Sequence, residues 1–162
     1  MTGKSVETGT AISLDETDRK ILRLLQTDST APLEQLAKKI GISKTAIWNR
    51  IQRMQQNKVI LKQAAFVDAK RVGLHETFFV AVKTSQHDAD WLKAFNNAVK
   101  DMPEITEAHR LAGDMDYILK VQVASTREYD KFYKRLIAKV TMNSVTSCLS
   151  METLKHETVL PL

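Results

Sequence analysis

Ser43, Lys44, Thr45, Trp48, Asn49, Arg50 and Arg53 bring hydrogen-bonding and basic side chains together at helical spacing. With Ile47, Ile51 and Met54 as the buried stripe, a step of about 100° per residue turns Thr45, Asn49 and Gln52 to the opposite side and leaves Trp48 and Arg53 on the flanks. A face of that kind suits a DNA groove. The N-terminal part of a groove-entering helix meets base edges, so Lys44, Thr45, Trp48 and Asn49 are candidates for sequence reading, Ser43 for DNA contact at the helix start, and Arg50, Arg53 and Lys58 for holding phosphates. The same pattern also describes a solvated helix with scattered charges, and the helix alone does not separate the two.

A second constellation, Gly113, Asp114, Met115, Asp116 and Tyr117, has the chemistry to hold a small zwitterion. Gly113 permits a backbone approach, Asp114 and Asp116 offer anions to an ammonium, and nearby main-chain N–H groups offer donors to a carboxylate. Taken alone, these residues read more readily as an ordinary Gly-Asp hairpin turn with solvated carboxylates. Thr146, Ser147 and Cys148 are candidate additional liners.

The elements that must position the first set are short helices. Leu33, Leu36, Ala37 and Ile40 fall at helical spacing, Gly41 breaks the pattern, and Ser43 is a good N-cap for the next helix. Two helices joined by a glycine turn read as a helix-turn-helix. Upstream, Asp15 caps a helix whose stripe is Ile21, Leu22, Leu24 and Leu25, with Asp18 in its first turns, completing a three-helix headpiece. Pro32 stands where the second helix begins. Asn57 is expected to end the third, because Asn tolerates the left-handed conformation. Residues 60–67 read as an extended segment and 70–74 as a connector. Residues 1–13, rich in Thr, Ser and Gly, read as a loose tail.

Charge follows the same division. The 162 residues carry a net +5; through Val72 there are 13 Lys and Arg against 7 Asp and Glu, a balance of +6, and the remainder has 11 against 12, or −1. Positive charge confined to one half is the footprint of a nucleic-acid-binding module followed by one that binds something else. With 43% hydrophobic residues the chain can build one good core or two small ones. No apolar run approaches the ~20 residues of a membrane span, and the N-terminus lacks a secretory pattern, so a cytoplasmic protein without a membrane partner is expected. Cys148 is the single cysteine, which excludes an internal disulfide, a zinc ribbon or a redox pair; it reads as a small core or site-lining residue. His75, His87, His109 and His156 stand at no metal-ligand spacing and read as surface or loop residues.

Beyond residue 74 the periodicity becomes that of strands. Residues 75–85 place Phe78, Val80 and Val82 on one face and Phe79 and Ala81 on the other. Residues 88–102 are helical with Trp91, Phe95, Ala98 and Val99 on one stripe. Strands at 105–111 and 117–124 flank a hairpin through 112–116. A helix from Thr126 carries Tyr129, Phe132, Tyr133, Leu136, Ile137 and Val140 on a broad apolar face, and a last strand covers about 145–153. The order βαββαβ implies an α+β chain: a helix-turn-helix headpiece over residues 14–59, an extended linker over 60–74, and a ferredoxin-like domain over 75–162. Two helices cover one face of the sheet. Apolar alternate residues on the other face call for a second subunit as cover.

The residues now carry a resemblance. Leu14-Asp15-x-x-Asp18-x-x-Ile21-Leu22-x-x-Leu25-Gln26, then Leu36-Ala37-x-x-Ile40-Gly41-Ile42-Ser43 and Arg50-Ile51-x-Arg53-Met54, resemble the DNA-binding domain of the Lrp/AsnC (feast/famine) transcriptional regulators. Pro103-Glu104-Ile105, the run from Ala112 to Val121 and the closing Leu160-Pro161-Leu162 continue the resemblance over nearly the whole chain after residue 13. It implies a regulator that binds double-stranded DNA, dimerises through its C-terminal domain, often assembles into octamers, and senses amino acids around a Gly-x-x-Asp-Tyr loop between dimers. No cofactor is implied. Asn57 replaces a glycine common in the family, and Thr30-Ala31-Pro32-Leu33 lacks an arginine often found there. Trp48, bulky for an outward position, suits base stacking, a thymine methyl, or packing on the neighbouring extended arm. An architectural DNA-organising protein without an effector is the alternative. A small enzyme is disfavoured, because the C-terminal half shows no nucleophile–base constellation, phosphate-cradling Gly loop or metal set.

Overall fold

The computed structural model describes residues 13–86 and 88–162, so all of the expected tail but Ser13, and also His87, lie outside the described residues. Of the described residues, 13–65 together with 155–162 form one compact unit, and those from 66 to 154 form a second.

In the first unit, Asp15 and Asp18 build a reciprocal cap at the start of α1 (Glu16–Thr27): the Asp15 carboxylate accepts from the Asp18 N–H at 2.7 Å, and the Asp18 carboxylate accepts from the Asp15 N–H at 3.2 Å. Helix α2 (Leu33–Ile40) ends at Gly41, whose φ of 82° is the left-handed conformation glycine adopts without a Cβ penalty. Helix α3 (Lys44–Gln56) follows after the Ser43 cap. Ile21, Leu22, Leu36, Ile47, Ile51 and Met54 are buried together, so each helix closes the others' apolar stripe. Asn57 ends α3 with an ordinary φ of −86°, and Lys58 takes the left-handed position at 56°. The step falls one residue later than expected because the Asn57 side chain donates to the Arg53 carbonyl at 2.8 Å, capping α3 from a negative-φ position.

The sequence assigns residues 155–162 to the C-terminal domain, yet they pack with the headpiece. The Leu160 N–H donates to Gln26 Oε1 at 2.6 Å, Gln26 Nε2 returns a bond to the Leu160 carbonyl, and Arg23 donates to the Leu162 carbonyl at 2.7 Å. Backbone groups in a strap without secondary structure need partners, and the long polar side chains of α1 supply them.

The second unit runs β1 (Glu76–Lys83), α4 (Ala89–Asp101), β2 (Ile105–Arg110), β3 (Tyr117–Val123), α5 (Thr126–Lys139) and β4 (Ser144–Leu149). The sheet is antiparallel in the order β2-β3-β1-β4, the ferredoxin-like arrangement. Phe78, Val80, Val82, Leu119 and Val121 meet Trp91, Phe95, Phe132 and Leu136 in the core. Asp88 and Ser125 cap α4 and α5. Ile137 is exposed rather than buried on the α5 stripe, and β4 ends at Leu149, short of the expected Thr153.

On the face away from the helices, the apolar character is narrower than alternation suggested. Phe79 and Ala81 lie beside Ile118 and Cys148, but β3 adds Lys120 and Gln122 to the same face, and β2 adds Glu107 and His109. Lys120 and Glu107 pair at 2.7 Å. Cys148 is exposed there and is not a core residue.

Candidate DNA-reading face and effector site

Ser43 starts the outer face of α3, its hydroxyl accepting from the Ala46 N–H at 3.2 Å. Lys44, Thr45, Trp48 and Asn49 are all exposed, with Trp48 half open at 50%, so the four side chains named for base reading lie along one accessible stretch. Lys44 pairs with Glu34 of α2, and that ammonium holds the Glu34 carboxyl below its ordinary range. Both groups are more than half exposed, so the pair is weak and an incoming phosphate or base can replace Glu34.

The two arginines behave differently. Arg50 Nη1 donates to Asp15 at 2.7 Å and to Asp18 at 2.8 Å, and Arg53 Nη2 donates to the other Asp18 oxygen at 2.5 Å. Asp18 is fully buried, and the two guanidiniums are partly exposed. The Asp15 and Asp18 hydrogen bonds hold Arg50 firmly in its charged form. The role of Asp18 was not drawn from sequence, where it read only as an acid in the first turns of its helix. The signal was present as two acids three residues apart at the start of α1, Asp15 as its N-cap and Asp18 in its first turn, and two arginines three residues apart on one face of α3.

The residues named for an effector are distributed over three places. Gly113, Asp114 and Met115 lie exposed on the hairpin tip, with Gly113 at φ 150° and open space where a Cβ would stand. Asp116 closes the hairpin: its carbonyl accepts from the Leu111 N–H, its N–H donates to the Val82 carbonyl at 3.0 Å, and its carboxylate accepts from the Thr84 N–H at 2.8 Å. Tyr117 turns to the helix side, where it is buried against Phe95 and Trp91. It floors a shallow hollow walled by Trp91, Leu92 and Arg110. Ser147 also faces the helices and bonds the Tyr129 hydroxyl; Thr146 and Cys148 face the opposite side, beside Ala81 and Phe79. Strand alternation separates neighbours 146, 147 and 148, so they do not line one site. Arg110, beside the hairpin's base, was not singled out from sequence. Among the described residues, no group of His, Cys, Asp and Glu is placed to hold a metal ion.

Two family models cover this chain: the AsnC-type helix-turn-helix domain over residues 14–55 and the Lrp/AsnC ligand binding domain over residues 77–160. The chain belongs to the Lrp/AsnC family. It is 46% identical over 149 residues to the glutamate uptake regulatory protein of Zymomonas mobilis, spanning 92% of this chain and 91% of that one. An AsnC family transcriptional regulator from Agrobacterium tumefaciens superposes with a TM-score of 0.87 at 45% identity, over 91% of this chain and 97% of that chain. The feast or famine regulatory protein of M. tuberculosis complexed with L-methionine matches at 25% identity and a TM-score of 0.82, over 90% and 97% of the two chains. This Lrp/AsnC chain is therefore a DNA-binding transcriptional regulator with a ligand-binding second domain, and not an enzyme. No helix among its described residues is long and apolar enough to cross a membrane.

Proposed function

We propose that α3 enters the major groove of double-stranded DNA with Lys44, Thr45, Trp48 and Asn49 toward base edges and with Arg50 and Arg53 at the flanking phosphates, and that a free amino acid bound at the 113–117 hairpin modulates this binding. The protein works in the cytoplasm as a dimer or higher oligomer, the sheet face bearing Phe79 covered by a second copy. The observation that carries the reading is the exposed polar stretch of a doubly capped α3, in the half of the chain that holds all the excess positive charge.

For the effector, Asp114 is exposed at the tip, and Asp116 has committed one carboxylate oxygen to the Thr84 N–H, leaving the other for an ammonium. Backbone N–H groups beside Gly113 supply the donors that a carboxylate needs. Tyr117, Ser147, Thr146 and Cys148 contribute indirectly, through the sheet that holds the hairpin. A ligand that binds one assembly state more tightly than another shifts DNA occupancy by that difference in affinity.

The test is calorimetric titration of the full chain with each of the twenty amino acids, repeated on Asp116→Asn, which keeps an acceptor for Thr84 and removes the charge. At least one amino acid should bind wild type, and the variant should lose at least tenfold in affinity while its ligand-free DNA binding stays unchanged. Unchanged affinity in the variant places the ammonium elsewhere. Binding of no amino acid removes the effector reading and favours the architectural one.

A further inference from the structure

The ionic cluster between α1 and α3 contains two carboxylates and two guanidiniums, so it is neutral as a whole. Asp18, at zero exposure, is its centre: one oxygen accepts from Arg50, and the other from Arg53 and the Asp15 N–H. A buried carboxylate left unpaired is costly, and here its pairing is complete. The arginines are not used up by it. Arg53 engages Asp18 through Nη2 and Arg50 engages both aspartates through Nη1, while their side chains remain 45% and 31% exposed. A guanidinium has five N–H donors, so each arginine keeps an outward edge.

Position around α3 gives that edge a direction. Arg53 follows Asn49 by four residues, which places it about 40° from Asn49 around the helix, on the flank toward α1. It therefore borders the stretch proposed to read bases. An arginine side chain free in solvent gives up considerable rotamer freedom on fixing to a phosphate; one already held by a buried carboxylate gives up less.

We infer that Asp18 is a positioning residue for DNA binding: from inside the headpiece it pre-orders the Arg53 and Arg50 guanidiniums so that their free N–H edges meet backbone phosphates beside the base-reading face. The inference rests on the proposed docking of α3. It assigns α1, which makes no base contact in this reading, a direct influence on affinity but none on sequence preference.

The test is a double-variant cycle on DNA affinity with the full chain, using one duplex carrying the preferred site and one unrelated duplex. Asp18→Asn should weaken both duplexes alike, by about tenfold. In an Arg53→Ala background the same change should cost about threefold, because one of the two guanidiniums through which Asp18 acts is gone and only Arg50 remains. Arg53→Ala alone should lower the slope of log K against log salt by about one phosphate contact. Thermal melts on each variant separate positioning from folding. If Asp18→Asn lowers affinity by the same factor with and without Arg53, Asp18 acts only by holding the fold, and the inference is overturned. An unchanged salt slope in Arg53→Ala overturns it too. Should Asp18→Asn fail to fold, Asp15→Asn with Arg50→Ala forms the same cycle at the exposed end of the cluster, and absence of coupling there is equally decisive. Wild type that binds neither duplex defeats the docking of α3 itself, a different failure from absent coupling.

Discussion

Replacing Phe79 perturbs the sheet face proposed to meet a second copy. Phe79 is 41% exposed at the centre of that face, between Lys120 on β3 and Cys148 on β4. A phenylalanine offers on the order of 200 Å² to burial, so about 80 Å² remains for a partner to cover. At about 25 cal/mol per Å² this is worth about 2 kcal/mol per subunit, and a two-fold interface uses the residue twice, for about 4 kcal/mol. Phe79→Ala should therefore raise the dimer dissociation constant by roughly a thousandfold. Phe79→Asp should go further, since it buries an unpaired charge on each side. Sedimentation velocity over a dilution series reads the constant, and circular dichroism confirms that each variant is folded. A folded Phe79→Asp protein with the mass and dissociation constant of wild type would refute the argument, because an interface there cannot absorb two buried carboxylates at no cost.

Phe132 is fully buried where α5 meets the sheet, so Phe132→Ala should cost about 3–5 kcal/mol in chemical denaturation of the C-terminal unit; a loss below 1 kcal/mol would show that the site collapses around the cavity. Asp15 supplies a pH dependence. The Asp18 N–H first, and the Arg50 side chain second, hold its carboxyl below the ordinary range. With the folded value below the unfolded one, its contribution is complete above about pH 3.9 and is lost as pH falls through the folded value. The headpiece melting temperature should thus drop more steeply below about pH 4 in wild type than in Asp15→Asn, and parallel curves would show that the Asp15 charge is uncoupled from folding.

The architecture was legible because period and punctuation agreed. Apolar residues at helical spacing with Asp15, Gly41 and Ser43 as boundaries, then alternation from Phe78 to Val82, were enough to place each helix and strand in order. Long-range features were less legible. The strap of residues 155–162 carries no periodicity, and its place on α1 depends on Gln26 and Arg23, more than a hundred residues away. Ile137 follows the spacing of a buried residue, but the broad α5 stripe exceeds what the sheet can cover.

The exposure of the face proposed to read DNA was legible to the extent that exposure follows helical angle: that Lys44, Thr45, Trp48 and Asn49 stand open needed only α3 and its buried stripe. The carboxylate that orders the arginines belongs to another helix, and single-helix geometry does not reveal it. For the effector, sequence proximity joined Thr146, Ser147 and Cys148, whereas a strand turns consecutive residues to opposite faces. Asp116 read as a free anion, and its bond to the Thr84 N–H follows from the pairing of β1 with β3, which no local motif encodes.

The central claim is that this chain reads a DNA sequence through α3 and changes its occupancy in response to an amino acid. Selection from random duplexes, run on wild type with and without the pooled amino acids and on Asn49→Ala, tests both parts. Wild type should enrich a near-palindromic site with half-sites about one helical turn, or a multiple of it, apart. Adding amino acids should change the fraction of that site retained, and Asn49→Ala should return a different preference, a lost base contact being worth roughly 1–3 kcal/mol. Equal retention of all sequences, unaltered by any amino acid and identical for Asn49→Ala, would contradict the claim and leave a protein that only organises DNA.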